Sequence, residues 1–164
     1  RRRRGGRSRG RGPEAGEAWE HYGAATGGAA VPAARNAFGD AQFAYGARSL
    51  ARAFAAREPR TYRYVFTHAG RGTADPPIHA DEIAYVFGNG DFDVRDRAVS
   101  DAMLAAWVNF ASGGDPNGPG APPWTPYDPA RDNYLTFGGT FAEGTGWLAV
   151  ALDFIDGFYR SRRA

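Results

Sequence analysis

The chain has no cysteine, so no disulfide frames its fold and no redox compartment is written into it. Lysine is absent too: all 20 basic residues are arginine, which with the abundant alanine and glycine points to a GC-rich genome rather than to a function. No apolar run approaches the ~20 residues that a membrane span needs. The best one, Trp147 to Leu152, is stopped by Asp153. Four arginines open the chain, but no apolar segment of signal-peptide type follows them. The five serines (Ser8, Ser49, Ser100, Ser112 and Ser161) all lie outside any Gly-x-Ser-x-Gly elbow. Ser112, in Ala-Ser-Gly-Gly, follows a helical pattern instead of sitting on a strand-to-helix turn. His68 and His79 are too far apart to form a close ligand pair of the kind zinc sites use, and neither a metal nor a cofactor is expected.

What remains is one domain's worth of chain, 164 residues, preceded by an arm. Residues 1–13 hold seven arginines among glycine and serine with no apolar residue to pack, so disorder is expected there. An arginine–glycine arm can neutralise phosphates. No aromatic residue interleaves with these arginines to stack on bases, however, and nucleic acid is not the expected partner. Without those seven arginines the formal charge turns from +2 to −5, so residues 14–164 are acidic.

The chain is organised around Tyr62 to Gly88. Tyr62, Tyr64 and Phe66 alternate with Arg63, Val65 and Thr67, the period of two that marks a strand. A breaker-rich loop with Gly70, Gly72, Asp75, Pro76 and Pro77 delivers His79, and the chain turns apolar again at Ile83, Tyr85, Val86 and Phe87. A histidine on a loop after a strand suits a general base; a satisfied or solvent-exposed histidine has the same sequence signature.

PPIHADEIAYVFGNG, with His79, Glu82, Ile83 and the Tyr85-Val86-Phe87-Gly88 run, resembles the catalytic-histidine segment of the type B carboxylesterases. Ala80 stands where that family more usually has glycine. Asp40-Ala41-Gln42-Phe43 is similar to the family's Asp-x-x-Phe helix start, Trp107 to Ala111 with Gly114-Asp115-Pro116-Asn117 to its W-x-N-F-A and G-D-P-N signatures, and Trp124 with Tyr127 to its W-P-x-Y. The likeness runs from Tyr22 to Tyr159 and implies the C-terminal portion of an α/β-hydrolase fold: the last sheet strands, the histidine loop and the C-terminal helices, incomplete on their own.

By that resemblance His79 is the general base of a serine esterase acting on small-molecule esters, and Glu82 a supporting acid beside the site. The nucleophile, the triad acid and the oxyanion donors are then expected in upstream sequence, and this polypeptide alone should not hydrolyse esters at an enzymatic rate. A non-catalytic cholinesterase-like interaction module is the alternative. For Glu82 a solvated carboxylate at a strand start is equally open, and His68 reads as structural.

The remaining elements follow from pattern. Glu14 to Asn36 reads as a short helix, then a loop broken by Gly27-Gly28 and Pro32. Asp40 should cap a helix whose stripe of Phe43, Ala47, Leu50 and Phe54 faces the core, ending at Pro59. Asp93 or Asp96 should cap a second helix reaching Ala111, with Val99, Met103, Ala106, Trp107 and Phe110 inward. Tyr134, Leu135 and Phe137 suggest a strand. Trp147 to Tyr159 should form a last helix that docks on its own core or, as the resemblance also implies, joins a homodimer.

Overall fold

A computed structural model describes Gly16, Ala18 and residues 20–23, 30–70 and 76–163; the arm expected over 1–13 lies outside the described residues. In chain order the elements are α1 (Ala30–Gly39), a π-helical turn (Asp40–Ala44), α2 (Tyr45–Ala55), β1 (Tyr64–Phe66), α3 (Ile83–Phe87), α4 (Val94–Gly113), β2 (Asn133–Phe137), β3 (Ala142–Thr145) and α5 (Ala149–Ser161). Contacts group residues 46–149 into one compact unit and the flanking chain, up to Tyr45 and from Val150, into another.

The larger unit is built on a mixed sheet in the order β1-β2-β3. β1 runs parallel to β2 with Tyr64 opposite Leu135 and Phe66 opposite Phe137, and β2 pairs antiparallel with β3. The alternation of β1 sorts its side chains as expected. Tyr64 and Phe66 pack on the core cluster of Met103, Ala106, Trp124, Leu135 and Phe137, while Val65 and Arg63 are buried from the other face. The regular strand is shorter than the Tyr62–Thr67 span read from the sequence. Its flanks still serve the sheet, since Thr67 donates its amide to the Phe137 carbonyl at 2.8 Å and Tyr62 rests edge-on against Trp124.

α4 starts where the sequence places it. Asp93 accepts the amides of Arg95 and Asp96 at 2.8 and 2.9 Å, and Asp96 accepts the Asp93 amide at 3.3 Å, a reciprocal capping box. Gly114 ends it at φ 72°, a left-handed conformation that glycine adopts without strain. Of the expected stripe, Val99, Met103 and Ala106 are buried and Trp107 packs on the cluster, whereas Phe110 is 46% exposed. The G-D-P-N turn then folds back: the Asn117 side chain donates to the Trp124 carbonyl at 2.9 Å and accepts its amide at 2.7 Å, as a neighbouring strand would.

The sheet face carrying Arg63 holds a buried ion cluster. The Asp132 carboxylate takes Arg63 Nη1 at 3.0 Å, Arg48 Nε at 2.9 Å and the Tyr127 hydroxyl at 2.7 Å. The Arg63 guanidinium also lies 5.9 Å from the Trp147 ring centroid. Burial, resisted by the Asp132 charge, lowers the Arg63 pKa.

Several expectations are corrected. Pro32 does not break a helix; it lies in the first turn of α1, where its missing N–H is not needed. Asp40 caps nothing, because the chain is already helical before it, and its carboxylate accepts the Tyr22 hydroxyl at 3.0 Å. The apolar stripe expected after Asp40 faces outward: Phe43 in the π-helical turn and Leu50 and Phe54 in α2 are 43, 60 and 59% exposed, while Arg48 and Ala51 are buried. β3 carried no strand signal in the sequence, as Ala-Glu-Gly-Thr has neither alternation nor β-formers on both faces. In the smaller unit, Tyr45 donates to Asp156 at 2.9 Å and stacks on Tyr159, and Ala151, Leu152 and Ile155 of α5 are buried.

Candidate active site

His79 sits in a turn between Ile78 and α3 and its side chain is exposed. The turn is closed from within. The Ile78 amide donates to Asp81 Oδ2 at 2.8 Å, the Asp81 amide to the Ile78 carbonyl at 3.3 Å, and the Ile83 amide to the Ala80 carbonyl at 3.2 Å. The Asp81 carboxylate is therefore engaged in holding the turn. Ala80 adopts φ 77°, the left-handed region that glycine fills without a steric clash and alanine does not. The glycine-to-alanine departure noted in the sequence thus falls on the one backbone position of the turn where it matters.

Glu82 is corrected from strand start to helix start. It is half-buried at the N-cap position of α3, where its side chain makes no capping bond. Its charge is felt at the Tyr64 hydroxyl, whose pKa rises to about 12, mainly through burial and then through Glu82. Gly88 at φ 65° closes α3, and the Asn89 amide returns to the Ala84 carbonyl at 3.2 Å.

His68, read as structural, is buried. Its Nε2 donates to Asp96 Oδ1 at 2.7 Å, and the Tyr85 hydroxyl donates to the same oxygen at 3.0 Å. Burial alone would raise the Asp96 pKa; the bonds from His68, Tyr85 and the Asp93 amide outweigh it and hold the carboxyl below its ordinary range. The same neighbourhood raises Tyr85 to about 12, by burial first and the Asp96 hydrogen bond second. Sequence reasoning missed Asp96 as a partner for His68, because its capping role explained it fully. A cleft of about 550 Å³, lined by His68, Arg95, Val99, Gly139 and Phe141, opens beside this cluster. Among the described residues no group of acidic or histidine side chains is arranged to hold a metal, and no helix is long and apolar enough to cross a membrane.

A family model described as the carboxylesterase family matches residues 15–147, with the His79 turn, α4 and the Asn117–Trp124 lock all inside the match. The chain belongs to the carboxylesterase family. The chain is 36% identical over 144 residues to fumonisin B1 esterase of Sphingopyxis macrogoltabida, a match over 79% of this chain and 26% of that protein. It is 40% identical over 92 residues to bile salt-activated lipase of Rattus norvegicus, covering 49% of this chain and 15% of the lipase. Carboxylesterase 1C of Mus musculus is 34% identical over 113 residues. The chain thus spans about a quarter or less of the length of these carboxylesterase relatives. Its fold is similar to that of an esterase from Clostridium hathewayi, with TM-score 0.56 and 20% identity over 65% of this chain and 23% of the other. The expected α/β architecture, part of the larger esterase fold, is borne out.

Proposed function

We propose that this chain is the C-terminal part of a serine-dependent carboxylic ester hydrolase and that His79 is its general base. The observation that carries the reading is the placement of His79: an exposed imidazole on an internally bonded turn, after a strand of a parallel pair, inside a segment that matches the carboxylesterase family. Ligand sites in α/β sheets gather at the carboxyl ends of such strands. In the reaction, the imidazole removes the proton of a serine hydroxyl as that oxygen attacks the ester carbonyl. It then hands the proton to the departing alcohol and activates water to release the acid.

The serine and the acid that orients the imidazole lie in chain outside these 164 residues. Ser100 is buried and donates to the Tyr85 carbonyl at 2.8 Å, and Ser112 lies at the end of α4, so neither has the geometry of a nucleophile on a sharp elbow. The outward apolar face of α2 and the pairing of β1 with β2 alone, among the described residues, both fit a fold that more chain completes. Glu82, half-buried three residues past the histidine, has the supporting place that the resemblance gives it and is not the orienting acid.

The test has two arms. The 164-residue chain should leave p-nitrophenyl butyrate at its background rate. The same chain joined to the reading frame upstream should turn the ester over, and His79→Ala should then lower kcat by ~10²–10⁴ or more. Unchanged hydrolysis by the His79→Ala enzyme refutes the assignment.

A further inference from the structure

His79 lies between β1, which ends at Phe66, and α3, which begins at Ile83; His68, two residues past β1, and Tyr85, in the first turn of α3, both hydrogen-bond one oxygen of Asp96. We propose that Asp96 is the positioning residue of this loop: a single buried carboxylate that ties its two feet together and to the first turn of α4, fixing where His79 stands. The idea that the fixed group is catalytic rests on the function proposed above; the clamp itself does not.

All members of the clamp are withdrawn from water, with Asp96 2%, Tyr85 7% and His68 9% exposed. Hydrogen bonds to a buried carboxylate are strong because no water competes for its lone pairs. The acceptor is itself immobile, since Asp96 Oδ2 accepts the Asp93 amide in the capping box. One turn further along α4, the Ser100 hydroxyl donates to the Tyr85 carbonyl at 2.8 Å and pins the backbone of the second foot. The two feet also touch directly: the His68 and Tyr85 rings meet edge to face with centroids 5.4 Å apart. Gly70 passes so close that a Cβ there would stand 3.3 Å from the Tyr85 hydroxyl. His68 and Tyr85 stand seventeen positions apart in the chain, yet both close on one acceptor that lies on α4. A helix cap alone would need Asp96 Oδ2; only a clamp uses Oδ1 for both feet.

Hydrogen exchange on the 164-residue chain tests this. In Asp96→Asn and in the milder Tyr85→Phe, exchange at the bonded amides of Ile78, Asp81 and Ile83 should accelerate about 10- to 100-fold over wild type, the loss expected for a bond to a charged group. The Leu135 amide, bonded to the Arg63 carbonyl at 3.0 Å, is the internal reference and should change far less. The His79 Hε1 resonance should shift towards that of a free imidazole in both variants. Equal acceleration at Leu135 and in the loop would mean Asp96 is only a support for the whole fold, and unchanged exchange in the loop would mean no clamp exists; either overturns the proposal. If Asp96→Asn does not fold, Tyr85→Phe alone decides, as it deletes a single hydroxyl. Loss of loop protection together with intact hydrolysis in the joined His79→Ala enzyme would retain the clamp and remove the catalytic role of His79.

Discussion

Ala80→Gly should stabilise the chain, a direction opposite to the usual effect of putting glycine into a protein. Ala80 holds φ 77° between the histidine and the Asp81 carboxylate that closes the turn. A left-handed L-residue costs about 1–2 kcal/mol through the clash of Cβ with the following carbonyl. Removing Cβ relieves that clash, while the greater freedom of glycine in the unfolded chain takes back about 0.4–1 kcal/mol. The difference leaves a gain of about 0.5–1 kcal/mol, which for a domain of this size raises Tm by about 1–4 °C. The turn's other bonds come from the backbone and from Asp81, so they survive the exchange. Thermal unfolding followed by circular dichroism, with urea titration beside it, reads the effect. Ala80→Val supplies the opposite arm, since a branched Cβ deepens the clash and should lower Tm below that of the parent. A fall in Tm for Ala80→Gly, or equal stability of the alanine and valine forms, would show that the backbone at residue 80 is not held in the left-handed region.

Three further outcomes are expected. Asp132→Asn keeps shape and tolerates the φ of 49° at that position but leaves Arg48 and Arg63 buried without their anion, which should destabilise by about 3–5 kcal/mol in a urea midpoint assay. Stability should fall at both ends of the pH range. Asp96 has a folded pKa below its unfolded value of about 3.9, so its contribution is full above that pH and lost as acid protonates the folded state. Tyr64 and Tyr85 sit at about 12 when folded, so the contribution of their neutral phenols is full below the unfolded value of about 10 and lost as pH rises through 12. Circular dichroism together with tyrosinate absorbance should register both limbs. Replacing the exposed Leu50 and Phe54 by serine should change the stability of this chain by less than about 0.5 kcal/mol each, yet destabilise the joined longer protein markedly.

Local signals were the legible ones. The alternation of Tyr62 to Thr67 and the Asp93–Asp96 cap are each decided within a few residues, and the structure holds them close to where the sequence puts them. Less legible were features decided by distant partners. Arg48 reads as a solvent-facing arginine until Asp132, far along the chain, is placed beside it. Asp96 is explained by its own helix until His68 and Tyr85 arrive. α2 was misread for a different reason. Its apolar stripe is real, but the rule that such a stripe faces inward assumes that the partner surface belongs to the same stretch of chain. β3 formed because β2 offered it an edge, a template that no pattern in Ala-Glu-Gly-Thr announces.

Among the described residues β1 has a strand neighbour on one side, β2. That asymmetry governs how the purified polypeptide should behave at the bench. A strand rim with free amides and carbonyls recruits whatever extended peptide diffuses past, including a sibling molecule. Light scattering should therefore climb with protein concentration, and a short charged peptide of β character, added in excess, should hold the solution clear.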